Sequence, residues 1–318
     1  MKTLLKKKLI AAAFGAAGLL ISSSALADEK LTVLLDWFVN PDHATLIVAK
    51  EAGIFKKHGL DVELIAPADP NDPPKLVAAG KAPIAISYQP QLHVQVAEGL
   101  PLKRIGTLVA TPLNSLVVLE SGPIKSIKDL KGKKVGFSVG GFESALLQAM
   151  LHKQGMTIED IELINVNFSL SPSILAGKVD AVIGAFRNFE LNQMDIEGYP
   201  GRAFYPEEEG VPAYDELIIV ANNNNLDDKR FRPFLDSLEE ATQMIINHPK
   251  ATWELFIKNN AELDDELNRR AWRDTIPRFA LRPSALDTNR YARFAKFLVE
   301  AGLIKEAKPV SEYAVELK

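Results

Sequence analysis

Aromatic rings and polar groups of the kind that hold a flat ligand are concentrated near the start of the chain. The segment from Asp36 to His43 contains Trp37, Phe38 and Asn40. Aromatic faces beside a few fixed polar groups suit a flat heteroaromatic ring, which is stacked and then recognised at its edge. A sugar would also stack on aromatic rings, but it would call for more acids and amides.

Three other loops also combine aromatic and polar residues, at residues 88–91, 138–144 and 185–190. All four loops are predicted to follow the carboxyl ends of strands, where open parallel sheets bind their ligands. Asn114 and Ser115 are added as candidates from a predicted crossing between two lobes. The candidate ligand-binding residues are Trp37, Asn40, His43, Tyr88, Asn114, Ser115, Gly140, Phe142, Phe186, Asn188, Phe189 and Glu190.

Several of these candidates have a structural alternative that the sequence leaves open. Trp37 is also suited to capping the core of a lobe, and Tyr88 to bonding its hydroxyl within the interior. His43 lies near a predicted helix start, where packing or capping is as reasonable as ligand contact. Glu190 lies among polar residues and is equally compatible with a solvated position.

The sequence offers few groups for catalysis or metal binding. It contains no cysteine, and its five histidines include no pair at metal-ligand spacing. The turn Gly140-Gly141-Phe142 can point backbone N–H groups at a bound polar group from a helix N-terminus. Its spacing is not that of a phosphate-binding loop. We therefore expect neither a metal nor a cofactor.

The elements that carry these loops follow a repeated order of strand, helix and strand. Asp42 is expected to cap a first helix extending from His43 to Ala52. Ala79-Gly80-Lys81 and Ala176-Gly177-Lys178 occupy equivalent places in the two repeats. This order predicts an α/β fold with two parallel-type sheets and flanking helices. The predicted strands are 31–35, 61–65 and 84–87 in the first repeat, and 134–138, 162–167 and 181–184 in the second.

Two apolar stretches are predicted to connect the repeats. Residues 111–119 cross from the first lobe to the second, and residues 216–220 return. Two crossings form a hinge, and two lobes on a hinge form a cleft. We expect lobe I to comprise 28–114 and 220–318, including the helices predicted after Asp227, and lobe II to comprise 115–219.

The first 27 residues have the features of a secretory signal. Four lysines precede an apolar run from Leu9 to Ile21, and the segment ends in Ala25-Leu26-Ala27. We expect cleavage after Ala27 and a soluble, monomeric protein in a bacterial periplasm, with no cysteine to carry a lipid anchor. Losing four lysines changes the formal net charge from −4 to −8. That charge disfavours nucleic acid or an anionic membrane surface as a partner.

Three motifs carry a resemblance to a known family. They are Asp36-Trp37-x-x-Asn40-x-x-His43, Pro112-Leu113-Asn114-Ser115 and Arg187-Asn188-Phe189-Glu190. The chain resembles the periplasmic proteins that bind thiamine pyrimidine precursors for ABC importers, and it is similar to the related thiamine-pyrimidine synthases of fungi. A further motif, from Leu130 to Gly136, is shared by many binding proteins and indicates only a type II solute-binding fold.

The resemblance implies a two-domain binding protein that captures a hydroxymethyl or formylaminomethyl aminopyrimidine and delivers it to an ABC permease in the inner membrane. In that family aromatic residues stack on the ring and a carboxylate binds its amino face. Trp37, Tyr88 and Glu190 stand at the matching positions here. A carboxylate at position 190 would accept two N–H groups of an amino-substituted ring.

Two alternatives remain, one enzymatic and one with a different ligand. The fungal synthases use a lysine and a histidine at positions that Ser87 and Gln91 occupy here, and an iron motif rich in cysteine. In the synthases the lysine forms a Schiff base and the cysteine-rich motif binds iron. Because neither the Schiff-base chemistry nor the iron chemistry can run on the side chains present here, the chain is not expected to be an enzyme. Relatives of the fold also bind sulfonates, for which Arg187 is the basic candidate in the four loops.

Overall fold

The computed structural model describes residues 28–317, so the predicted signal segment lies outside the described residues. Ten strands form two five-stranded sheets within this range. The strands are β1 (Glu29–Leu34), β2 (Leu60–Ile65), β3 (Ile84–Ser87), β4 (Leu102–Val109), β5 (Asn114–Leu119), β6 (Lys134–Phe137), β7 (Glu162–Asn165), β8 (Ala181–Phe186), β9 (Gly201–Phe204) and β10 (Leu217–Asn222).

The helices surround both sheets. A single 3-10 turn at Pro41–His43 precedes the first of them and carries part of the site described below. The α-helices of residues 28–317 are α1 (Ala44–Glu51), α2 (Ile54–Lys57), α3 (Pro73–Ala78), α4 (Gln89–Ala97), α5 (Phe142–Lys153), α6 (Leu170–Leu175), α7 (Glu190–Ile196), α8 (Phe231–Asn247), α9 (Pro249–Ile257), α10 (Glu266–Thr275), α11 (Thr288–Glu300) and α12 (Val310–Tyr313).

The two sheets have the same topology. The strand order is β2-β1-β3-β10-β4 in the first sheet and β7-β6-β8-β5-β9 in the second. Each sheet is parallel except for one strand, β10 or β5, which pairs antiparallel with both of its neighbours. Each of these two strands immediately follows a crossing between the sheets. The chain therefore enters each sheet in the direction opposite to that of the other four strands.

The predicted α/β fold is confirmed, with the refinement that both sheets are mixed. The chain crosses between the sheets at residues 110–113 and returns at residues 205–216, since β4 and β10 belong to one sheet and β5 and β9 to the other. The division into lobes at 114/115 and 219/220 stays a prediction. No helix within residues 28–317 is long and apolar enough to cross a membrane.

Apolar periodicity explains why the C-terminal helices pack on the first lobe. Along α8 the residues Phe231, Phe234, Leu235 and Leu238 recur at helical spacing and are all buried. The ring of Phe234 stacks on that of Phe55 from α2, with 5.5 Å between the ring centroids. These contacts hold α8 against α1 and α2 of the first lobe, and α10 contacts the 3-10 turn beside the interlobe cleft.

The predicted cap of the first helix is wrong. Asn40, and not Asp42, caps the turn, because its side-chain oxygen accepts a hydrogen bond from the backbone N–H of Asp42 at 2.8 Å. The turn then continues into α1 at Ala44. The carboxyl of Asp42 is consequently free to make contacts elsewhere.

Candidate functional site

A cleft lies between the two lobes, at the ends of β1 and β3 on one side and of β6 and β8 on the other. This position agrees with the rule that ligands bind beyond the carboxyl ends of strands in open α/β sheets. The first lobe contributes Asp36, Trp37, Asn40, Asp42 and Tyr88 to the lining, and the second contributes Glu143, Leu170, Gly184, Phe186, Phe189 and Glu190.

A buried hydrogen-bonded group fixes the ring of Tyr88 at the cleft. The Tyr88 hydroxyl donates to Oδ2 of Asp36 at 2.8 Å, and the other oxygen of Asp36 lies 2.9 Å from Nε2 of His43. Nδ1 of His43 accepts from the backbone N–H of Asn40 at 3.4 Å, so Nε2 carries the proton. Burial, together with the charge of Asp36, raises the pKa of Tyr88 well above its usual value. Tyr88 therefore stays a phenol and a donor.

Aromatic rings from the two lobes meet across the cleft. Tyr88 stacks on Phe142 with 4.8 Å between ring centroids and 17° between ring planes, and Phe186 presents its edge to Tyr88 at 6.4 Å. At the outer end Trp37 contacts Phe168 edge-on at 4.7 Å. Because every pair joins one lobe to the other, these rings contribute to the closed arrangement of the lobes as well as to the cleft wall.

Glu190 begins α7 and is only 8% exposed. Its Oε2 accepts a hydrogen bond from the backbone N–H of Phe186 at 2.6 Å. Burial raises the pKa of Glu190 to about 8, and the nearby charge of Asp42 contributes to the rise. At neutral pH this carboxyl is therefore mostly protonated in the closed cleft, and it carries both an O–H donor and a carbonyl acceptor.

Glu143 is a second buried acid of the cleft, on the first turn of α5. Its Oε2 accepts from the backbone N–H of Ser138 at 2.7 Å, and burial raises its pKa to about 8. Gly184 lies against it with a φ of +103°, and a Cβ at this position would be 2.4 Å from the carboxyl. Only glycine combines that backbone angle with so close an approach.

Asp42 contacts both lobes. Its Oδ1 accepts from Nδ2 of Asn188 at 2.7 Å and lies 3.0 Å from the Thr275 hydroxyl at the end of α10. Burial raises the pKa of Asp42 to about 6. The first lobe is thus hydrogen-bonded to the second directly beside the cleft.

The crossings between the lobes are joined by their own polar contacts. The carboxyl of Glu216, on the return crossing, accepts hydrogen bonds from the backbone N–H groups of Leu113 and Asn114 on the outward crossing. Arg187 pairs bidentately with Glu207 and donates to the carbonyl oxygens of Leu113 and Asn114. Arg187 is thereby engaged at the crossings, and no lysine or arginine is among the residues that line the cleft.

Six of the twelve predicted site residues line the cleft: Trp37, Asn40, Tyr88, Phe186, Phe189 and Glu190. The other six do not line it, each for a specific reason. His43 lies behind Asp36, and Phe142 lies behind the ring of Tyr88. Asn188 uses its amide to bind Asp42.

The remaining three lie at the crossing or at the rim. Asn114 accepts from the backbone N–H of Gly184 at 3.1 Å, and the Ser115 hydroxyl donates to the Leu113 carbonyl oxygen at 3.3 Å. Gly140 donates its backbone N–H to Asn71 of the first lobe at 2.8 Å. These groups support closure or the hinge, and ligand contact by them stays a prediction.

Five lining residues were not among the candidates: Asp36, Asp42, Glu143, Leu170 and Gly184. Asp36 and Asp42 lie inside the aromatic motif, but local sequence gave Asp42 only a capping role. Glu143 lies in the predicted ligand-binding loop, two residues after the Gly140-Gly141 turn, and this position was the only sequence feature that pointed to it. The position of Gly184, inside the predicted strand, gave no signal at all.

The described residues bear on two requirements, those of a metal site and of the synthase lysine. No group of three or more histidine, aspartate or glutamate side chains within residues 28–317 is placed to hold a metal ion. At the position where the fungal synthases carry lysine, the Ser87 hydroxyl donates to Oε1 of Gln91 at 2.9 Å, and both residues are buried.

The fold and the interlobe cleft define a periplasmic binding protein architecture of type II. The alkanesulfonate-binding protein SsuA from Xanthomonas axonopodis pv. citri superposes with a TM-score of 0.71 at 14% identity, over 90% of this chain and 98% of that one. A Candida albicans gene product with the generic periplasmic binding protein fold superposes with a TM-score of 0.69 at 19% identity, over 91% and 96% of the two chains. At such identities the likeness concerns the fold alone.

The chain belongs to the NMT1/THI5-like family, whose profile matches residues 40–252. It is 55% identical over 302 residues, 95% of this chain and 96% of the other, to a Haemophilus influenzae protein provisionally named for thiamine biosynthesis. A formylaminopyrimidine-binding protein from Halalkalibacterium halodurans is 37% identical over 61% of this chain and 59% of that one. A 4-amino-5-hydroxymethyl-2-methylpyrimidine phosphate synthase from Uromyces fabae is 27% identical over 77% and 75%. The relatives of this chain thus include both a binding protein and a synthase.

Proposed function

We propose that this chain is the solute-binding component of an ABC importer and that it captures a thiamine pyrimidine precursor in its interlobe cleft. The ligand would be a hydroxymethyl or formylaminomethyl aminopyrimidine, taken up in the periplasm and passed to a membrane permease. The observation that carries this proposal is the composition of the cleft, where aromatic rings lie beside buried carboxyls and no basic side chain lines the wall.

A protonated Glu190 matches the edge of an aminopyrimidine. The ring nitrogen beside the amino group accepts a hydrogen bond and the amino group donates one, while a carboxylic acid offers one donor and one acceptor. Oε2 of Glu190 has a second lone pair, so it can accept the amino N–H in addition to the bond from Phe186. The acid and the ring can therefore form a paired, two-bond contact without an unpaired buried charge.

Stacking provides the rest of the fit. Trp37 and Phe189 line opposite sides of the cleft, and Asp36 with His43 fixes the orientation of the Tyr88 ring. Ligand contacts from both lobes favour the closed state, because only that state allows them to form together. Closure by bending at the two crossings then follows from the hinge that Glu216 and Arg187 stabilise.

The two alternatives are less well supported by the chemistry of the site. A sulfonate carries a negative charge and would face Asp42 with no basic side chain in the lining, while Arg187 is paired with Glu207. A synthase would need a nucleophilic lysine where Ser87 stands. We therefore propose a binding protein and not an enzyme, and a neutral ligand and not an anion.

Calorimetry on the full chain, expressed with its own N-terminal segment, tests this proposal. The expected result is 1:1 binding of 4-amino-5-hydroxymethyl-2-methylpyrimidine or its formylamino counterpart, and no detectable binding of an alkanesulfonate. Mass spectrometry of small molecules released by unfolding the purified protein should detect an aminopyrimidine. Binding of the sulfonate without the pyrimidine would refute the proposal.

A further inference from the structure

Asp42 is a buried acid just after β1, and the local sequence predicted for it only a helix-capping role. It is 1% exposed and lines the cleft. One of its oxygens, Oδ1, accepts a hydrogen bond from Nδ2 of Asn188, which belongs to the other lobe. That oxygen is therefore committed to holding the two lobes together.

The groups around Oδ1 satisfy each other without involving the second oxygen. The Thr275 hydroxyl is 3.0 Å from Oδ1 of Asp42 and 2.7 Å from the carbonyl oxygen of Ala271. A hydroxyl carries one proton, so it donates to one of these two acceptors at a time. The second N–H of the Asn188 amide donates to the Thr275 oxygen at 2.7 Å.

Oδ2 of Asp42 is buried and has no hydrogen-bond donor among residues 28–317. Buried carboxylate oxygens are rarely left bare, because removing one from water without a replacement bond is costly. We infer that Oδ2 of Asp42 accepts a hydrogen bond from an N–H or O–H group of the bound ligand, which makes Asp42 a specificity-determining residue of this cleft. The inference rests on the proposed function, since it requires a pyrimidine ligand at this place.

The same carboxyl connects recognition of the ligand with closure of the lobes. Opening moves Asn188 away and lets water reach both oxygens of Asp42. When the lobes close on a molecule without a suitable donor, Oδ2 loses its hydrogen bond to water and gains no other. When they close on a molecule with a donor, both oxygens of Asp42 are hydrogen-bonded. Ligands that carry the donor are therefore favoured in the closed state over ligands that lack it.

The test is the isosteric variant Asp42→Asn, whose amide oxygen can still accept from Asn188 while its NH₂ replaces Oδ2. Affinity is measured by calorimetry for three ligands: 4-amino-5-hydroxymethyl-2-methylpyrimidine, its analogue with methyl in place of hydroxymethyl, and its analogue with methyl in place of the amino group. For the first ligand we expect a loss of about 10- to 100-fold. The loss should nearly vanish for one of the two analogues, which identifies the donor as the hydroxyl or the amine.

Thr275→Val is the matched control, because it removes a contact of Oδ1 and leaves Oδ2 unchanged. It should change affinity for all three ligands by one small factor, and circular dichroism should show that both variants are folded. An equal loss for all three ligands in Asp42→Asn, or no loss, would overturn the inference and leave Asp42 as a contact between lobes. If the unmodified protein binds neither these three ligands nor the formylamino counterpart, the proposed function itself fails.

Discussion

Replacing Glu190 with glutamine separates the charge of this residue from its hydrogen bonds. Burial raises the pKa of Glu190 to about 8 in the closed cleft, from an ordinary value of 4.5. At pH 7 a group with that raised pKa is roughly nine tenths protonated, whereas a solvated glutamate is almost fully ionised. If opening the lobes exposes Glu190 to water, ligand binding at pH 7 should take up most of a proton at this residue.

The sign of the pH dependence follows from the direction of the shift. Since the pKa is raised on closing, the contribution of Glu190 to closure is fully present below about pH 4.5 and is lost progressively as the pH rises towards 8. Above pH 8 no further loss from this group is expected. Glu190→Gln cannot titrate, so proton uptake should fall by most of a proton relative to the unmodified protein.

The affinity change distinguishes the two forms of the acid. A glutamine whose amide oxygen accepts from Phe186 directs its NH₂ to the ring nitrogen, and this reproduces the donor and acceptor of a protonated acid. We therefore expect a loss below about 1.4 kcal/mol for Glu190→Gln. Glu190→Leu, which removes both bonds and leaves the Phe186 N–H unpaired, should lose about 2–4 kcal/mol.

Calorimetry at pH 7 in two buffers of different ionisation enthalpy measures both quantities. An ionised Glu190 that accepts two N–H groups, as the resemblance alone implies, would instead make Glu190→Gln as damaging as Glu190→Leu. Unchanged proton uptake in the glutamine variant, or equal losses in the two variants, would refute the protonated-acid mechanism.

Three further outcomes are expected. Gly184→Ala should lower the free energy of unfolding by at least about 2 kcal/mol, because its Cβ would lie 2.4 Å from the Glu143 carboxyl. Gly177→Ala, at a positive φ in open space, should lower it by only about 1 kcal/mol. Tyr88→Phe should cost about 1–3 kcal/mol of stability by leaving an oxygen of Asp36 unpaired, while Tyr88→Ala should also lose the stacked ring and more affinity. A phosphate ester of the pyrimidine should bind at least about 100-fold more weakly than the free alcohol, since Asp42 lines the cleft and no basic side chain does.

Chemical denaturation measures the stability changes, and calorimetry measures the affinities. Equal effects at positions 184 and 177 would contradict the steric argument about Glu143. A stable Tyr88→Phe variant would show that Asp36 finds another donor, and tight binding of the phosphate ester would mean that the cleft tolerates an anion.

Local patterns in the sequence were sufficient for the architecture. Strand and helix periodicities depend on neighbouring residues, so the repeated order of elements could be predicted from composition and spacing alone. The predicted crossings at 111–119 and 216–220 lie mostly within β5 and β10, and the chain crosses just before each of these strands. The aromatic motif at Trp37 and the motif ending at Glu190 also identified two loops that line the cleft. The direction of β5 and β10 could not be predicted this way, because pairing partners lie far apart in sequence.

The roles of individual polar side chains were decided only by the tertiary structure. Asp42 reads locally as a helix cap, yet its partner is Asn188, 146 residues away and in the other lobe. Arg187 reads as a possible anion site, yet it is neutralised by Glu207 at the crossing. The protonation of Glu190 likewise depends on burial by both lobes, and desolvation is a property of the packed fold that no local sequence pattern contains.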